Sequence, residues 1–144
     1  MEESAFFPKD FFKNCFYIFT RLPKSLISRR IAILLNYLKL GFIYIFFEKI
    51  LHLKIHSVEI FNYHVDFFDF RQFLWLFEES YIRNEYYFEA KNNSPLIIDC
   101  GSNVDSILYF KWLYPKAKII AFEADPTTFK ILKKNIRNTN LTDI

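Results

Sequence analysis

Glycine is almost missing from this chain, with only Gly41 and Gly101 among 144 residues. That excludes the P-loop and the G-x-G-x-x-G dinucleotide turn, because each needs several positions without a Cβ where backbone meets phosphate. Cysteine is equally scarce. Cys15 and Cys100 stand far apart with no paired spacing, which argues against a disulfide framework and a zinc site and for a reducing compartment. His52 and His56 are four residues apart with His64 nearby, but no carboxylate or cysteine spacing completes a metal site. Charge of one sign is also in short supply: a formal net charge of +3 is too small to argue for nucleic acid. The opening Met-Glu-Glu-Ser is acidic where a signal peptide would be basic, so no export signal is expected and the expected location is cytoplasmic.

What is abundant is apolar and aromatic: 52% hydrophobic residues, with 19 Phe and 9 Tyr. That supplies a core and excludes global disorder. The run of Phe67, Phe68, Phe70, Phe73, Trp75 and Phe77 reads as core or interface, since no basic groove interleaves it as a base-stacking platform requires.

Charge is unevenly spread. In the first forty residues Lys9, Lys13, Arg21, Lys24, Arg29, Arg30 and Lys39 face only Glu2, Glu3 and Asp10. A basic, apolar region over residues 1–53 suggests an anionic surface, most simply peripheral contact with the inner face of a membrane through residues 9–50. A solvated basic helix face explains the same charges. Within this mainly helical region, residues 1–30 are broken by Pro8 and Pro23, follow neither period cleanly, and are expected to be irregular. Ile31–Phe47 reads as a helix, short for a membrane span and interrupted by Lys39; a helix packed on protein or lying on a surface is expected ahead of a true span.

Residues 54–94 form a second segment. Val58, Ile60, Tyr63, Val65 and Phe67 alternate with polar residues about Asn62, which predicts a β-hairpin. Asp69 then caps a helix whose stripe is Phe70, Phe73, Leu74, Phe77 and Tyr81. The linker Lys91-Asn-Asn-Ser-Pro95 opens the last segment, residues 95–144. Leu96–Ile98 and Lys118–Phe122 read as strands buried on both faces of a parallel sheet. Between them Val104, Ile107, Leu108 and Trp112 stripe a helix that stops near Pro115. Asp125-Pro126 caps a last helix with Phe129, Leu132 and Ile136 on its buried face. The fold class is α/β: a partial Rossmann-like βαβα unit after an aromatic-rich helical region with a hairpin.

Ligands of open parallel sheets sit beyond the carboxyl ends of the strands. Asp99 and Glu123 fall at two such ends, and Gly101 opens the turn after the first. The 22 residues from Gly101 to Glu123 match the roughly 20 between a glycine turn and a ribose-binding acid. A carboxylate there accepts from both ribose hydroxyls and repels a 2′-phosphate. With Asn103 and Ser106 where a dinucleotide turn needs glycine, S-adenosylmethionine fits better: Asp99 can face its ammonium and the next helix N-terminus its carboxylate. Asp99 as a mere cap and Glu123 as a solvated strand end are the plainer alternative.

Ile97-Ile-Asp-Cys-Gly-Ser-Asn103, then Tyr114-Pro-Lys-Ala-Lys-Ile-Ile-Ala-Phe-Glu-Ala-Asp-Pro126, Thr128-Phe129 and Leu132-Lys-Lys-Asn135, resembles the FkbM family of methyltransferases. The resemblance covers residues 95–144. It implies a class I methyltransferase sheet and methyl transfer from S-adenosylmethionine, typically to an oxygen of a sugar or small metabolite. Carried over, Asp99, Gly101, Asn103 and Glu123 become cofactor-binding residues; no catalytic base is identified. Two departures matter. Asp105 stands where the pattern has glycine, in the first helical turn, where its charge is expected to repel the cofactor's carboxylate. Ile144 comes just before a third strand is due, so this chain by itself is expected to be inactive, to expose unpaired apolar sheet and to self-associate. The rival readings are a non-catalytic remnant and a membrane-associated interaction protein.

Overall fold

The structure is a computed structural model that describes residues 6–103 and 105–144, without the side chains of residues 6–9. Helix α1 spans Phe6–Thr20, so the expectation of an irregular start fails. Pro8 sits in the first turn, where the missing N–H has no intrahelical acceptor in any case. Ile18 and Asn14 are buried on its inner side, four residues apart. Pro23 precedes a 3₁₀ turn, Lys24–Arg29, which runs into α2, Arg30–Ile43, and on through a π-helical stretch to Ile50. The helix expected over Ile31–Phe47 is therefore present and longer at both ends.

Strands β1, Ser57–Ile60, and β2, Tyr63–Asp66, form the antiparallel hairpin. Phe61 and Asn62 both have positive φ, 47° and 71°, the signature of a two-residue mirror-image turn. A phenylalanine there is unfavourable locally. It is held because its ring packs against Phe77, Tyr81 and Trp112 and its N–H donates to Asn36 Oδ1. Helix α3, Phe70–Phe77, starts as expected: Asp69 accepts the Gln72 N–H at 2.8 Å. It continues as a π-helix over Glu78–Ile82, and all five residues of the expected stripe are buried.

Tyr37 of α2 ties the helical layers together. Its hydroxyl donates to buried Glu78 Oε1 at 2.7 Å and accepts from Asn14 Nδ2 at 3.0 Å. Burial pushes the Glu78 carboxyl up from its ordinary value, and the bond from Tyr37 opposes this.

The last third is a strand–helix–strand–helix unit: β3 (Leu96–Cys100), α4 (Ser106–Leu113), β4 (Lys118–Phe122) and α5 (Pro126–Asn138). β3 and β4 are parallel neighbours, with Asp99 opposite Ala121 and Cys100 opposite Phe122. Asp125 caps α5 by accepting the Thr128 N–H. At the outer edge of β4 the Ile119 N–H donates to Asp143 O at 2.8 Å. Two expectations are corrected here. The strands are covered on one face only: Ile97 and Ile119 are buried, while Leu96, Ile98, Ile120 and Phe122 are exposed, because the described helices pack on a single side. Phe129 is 43% exposed instead of buried. α5 turns Leu132 and Asn135 inward, since Asn135 is bonded to the hairpin: its Oδ1 accepts the Asp66 N–H and its Nδ2 donates to Asp66 O. Val104, part of the expected α4 stripe, lies outside the described residues.

Candidate functional site

The carboxyl ends of β3 and β4 lie side by side, and the turn after β3 hooks onto the end of β4. The N–H groups of Gly101 and Ser102 both donate to Phe122 O, at 2.8 and 2.9 Å. Gly101 is thereby anchored beside the residue preceding Glu123. Its φ is +84°, a conformation that L side chains rarely adopt. A Cβ built there meets nothing within 4 Å, so the glycine is required by the turn and opens onto free space.

Asp99 is half-buried at the end of β3. Its Oδ2 accepts from Ser102 Oγ and Ser106 Oγ, both at 2.7 Å. The two hydroxyls lock the carboxylate against the start of α4. Asn103 caps that helix: its Oδ1 accepts the N–H groups of Asp105 and Ser106, at 2.8 and 2.9 Å. Two of the free amides that the sequence reading offers to a cofactor carboxylate are therefore taken by Asn103. Glu123 is half-buried, and its Oε1 accepts the Asp125 N–H at 2.7 Å. Asp99, Gly101, Asn103 and Glu123 are thus gathered at one end of the parallel pair.

Asp105 is not part of this cluster, and the expectation that it repels a bound carboxylate is corrected. It is fully buried and accepts a hydrogen bond from Ser80 Oγ in the π-helical end of α3. Burial pushes its carboxyl up to about 7, against the bond from Ser80. Its Oδ1 and the nearby hydroxyls of Tyr81 and Tyr109 have no hydrogen-bond partner among the described residues.

A small cleft opens between α3, the turn after β3 and the first turn of α5. Its wall includes Phe67, Phe68, Asp69, Gln72, Asn103 and Thr128. Of the four expected site residues only Asn103 lines it. Sequence reasoning missed the α3 wall, because Phe67 and Phe68 read as core, and missed Ser102 and Ser106 as the hydroxyls that orient Asp99. Their signal was there: two serines four residues apart, straddling the start of a helix that follows a strand-end aspartate.

No family model matches the chain, and no solved structure matches it. Over 45 residues it is 42% identical to a protein named methyltransferase sdnD, from Sordaria araneosa. The matched stretch is 31% of this chain and 17% of that protein, so the chain spans well under two thirds of this relative's length. Part of this α/β chain is therefore similar to part of a methyltransferase.

Proposed function

We propose that this chain carries the cofactor-binding half of an S-adenosylmethionine-dependent methyltransferase of FkbM type that acts on a hydroxyl oxygen of a sugar or small metabolite. The observation that carries the reading is that Asp99 at the end of β3 and Glu123 just past the end of β4 share the carboxyl end of a parallel pair, with Gly101 in the adjoining turn opening onto free space. The chemistry fits the cofactor. Glu123 Oε1 holds the Asp125 amide, and a carboxylate has a second oxygen to accept from ribose hydroxyls. Asp99, fixed by two serine hydroxyls, presents a negative charge suited to the methionine ammonium. With the first amides of α4 capped by Asn103 Oδ1, the Asn103 Nδ2 is a side-chain donor left at this turn for the methionine carboxylate. The cofactor, when bound, supplies an electrophilic methyl group on sulfonium sulfur; the protein's part is to hold it in line with an acceptor. Only two parallel strands are described, and the acceptor side is not among them.

Calorimetric titration with S-adenosylhomocysteine tests the assignment. Each hydrogen bond to a charged acceptor contributes roughly 1.5–3 kcal/mol, less where water competes, so Glu123→Ala is expected to weaken binding about tenfold or more. Exposed Glu59 is the control, and Glu59→Ala should bind as the unaltered chain does. Equal losses in both variants would refute the role of Glu123, and no heat in any of the three would refute the cofactor.

A further inference from the structure

The N-terminal helical layer is apolar on both sides. One side of Lys24–Ile50 buries Leu26, Ile33, Tyr37, Leu40 and Tyr44 against the core. The opposite side exposes Ile27, Ile31, Leu35, Leu38, Phe42 and Ile45, at steps of three and four residues that keep them on one stripe. Ile31 and Phe42 are 68% and 62% exposed. Helix α1 adds exposed Phe12, Phe16 and Phe19 at the same spacing. Single exposed apolar side chains are ordinary in a soluble protein, but a continuous stripe marks a surface that meets something.

The charges identify what it meets. Among residues 10–54, Lys13, Arg21, Lys24, Lys49 and Lys54 are exposed, while the Lys39 ammonium is turned to the Glu59 carbonyl. The two acids of that stretch, Asp10 and Glu48, are half-buried, and Glu48 accepts the Ile55 N–H. Among the described residues the layer therefore presents hydrocarbon with exposed cations in excess; the partly exposed Asp10 carboxylate is paired with Lys13. Lysine stems can lie along an apolar surface while their ammonium groups reach anionic headgroups.

We propose that this face lies on an anionic phospholipid membrane, with the Lys24–Ile50 helix in the plane of the interface. The helix is long and apolar enough to cross a bilayer by length and composition. Its other side argues for lying flat. Tyr37 bonds the Glu78 carboxyl, Asn36 Oδ1 accepts the Phe61 N–H, and Lys39 Nζ donates to Glu59 O. Crossing would strip these groups of their partners or carry the Glu78 carboxyl into hydrocarbon. The inference is independent of the methyltransferase reading, since none of these residues belongs to that site.

Flotation of the full 144-residue chain with vesicles of phosphatidylcholine alone, and with phosphatidylserine mixed in, tests it. At low salt the chain is expected to rise with the serine-containing vesicles, binding them about tenfold more than phosphatidylcholine alone. Leu35→Glu with Phe42→Glu should lower binding by about tenfold or more, with the circular dichroism unchanged because both residues are exposed. Lys24→Glu with Lys49→Glu should weaken binding severalfold on the anionic vesicles only. No flotation, or flotation insensitive to Leu35→Glu and Phe42→Glu, overturns the proposal. So does resistance to alkaline carbonate extraction, the mark of a spanning helix. A concentration-dependent dimer that those two changes abolish, without vesicle binding, would assign the stripe to a second copy of the chain and overturn it equally.

Discussion

Replacing Asp105 by asparagine should make the protein more stable at neutral and alkaline pH. The side chain is fully buried, and Ser80 donates to its Oδ2 while Oδ1 has no partner among the described residues. Its carboxyl is pushed from 3.8 up to about 7. Each pH unit between those values corresponds to about 1.4 kcal/mol, so ionising Asp105 inside the fold costs on the order of 4 kcal/mol at most, and less as the surroundings relax. The sign follows from which state binds the proton more tightly. Here it is the folded state, so this contribution is intact below about pH 4, is lost as pH rises toward about 7, and is constant above that. Asparagine keeps an acceptor for Ser80 and carries no charge. Urea unfolding of both proteins across pH is the assay. The stability difference should grow from near zero at about pH 4 to roughly 1–4 kcal/mol in favour of Asp105→Asn at about pH 8. Glu78 and Glu79 are also raised by burial, so both proteins should retain some pH dependence; only the difference reports on Asp105. A difference that stays flat with pH, or an asparagine variant that is less stable at pH 8, would refute the burial argument.

Tyr37→Phe removes the hydroxyl between Asn14 and Glu78 and should cost about 2–3 kcal/mol by the same unfolding measurement, because a buried carboxyl loses its donor. Asn135→Ala breaks both amide bonds to the Asp66 backbone and should cost roughly 1–3 kcal/mol. Lys134→Ala, which removes an ion pair from an exposed lysine to half-buried Asp66, should cost less than about 1 kcal/mol, and a reversed order would refute the pairing described for α5. Gly101→Ala meets no steric obstacle but must hold φ near +84°, so it should cost about 1 kcal/mol in thermal unfolding and weaken S-adenosylhomocysteine binding by more than that. Ile98 and Phe122 stand on the bare face of the sheet, and Ile98→Lys should reduce both self-association in size-exclusion chromatography and binding of an apolar dye.

Elements with short-range causes were legible in the residues alone. Asp69 and Asp125 cap α3 and α5 through amides three residues on, and no distant partner is needed for that geometry. The hairpin about Asn62 and the two apolar strands follow in the same way from alternation and turn chemistry. The gathering of Asp99, Gly101, Asn103 and Glu123 was legible too, because a parallel strand–helix–strand unit places consecutive strand ends together.

What the tertiary structure decided has long-range causes. Pro8 was read as a break, yet α1 is helical because only the helix position of a proline determines whether its missing N–H matters. Asn135 was one letter of a motif until the fold placed Asp66, 69 residues away, against both ends of its amide. Asp105 looked from its spacing like a charge in the ligand's path. Ser80 and the enclosing π-helical turn made it a buried acid whose charge acts on stability, since desolvation depends on what packs around a group and not on its neighbours in the chain.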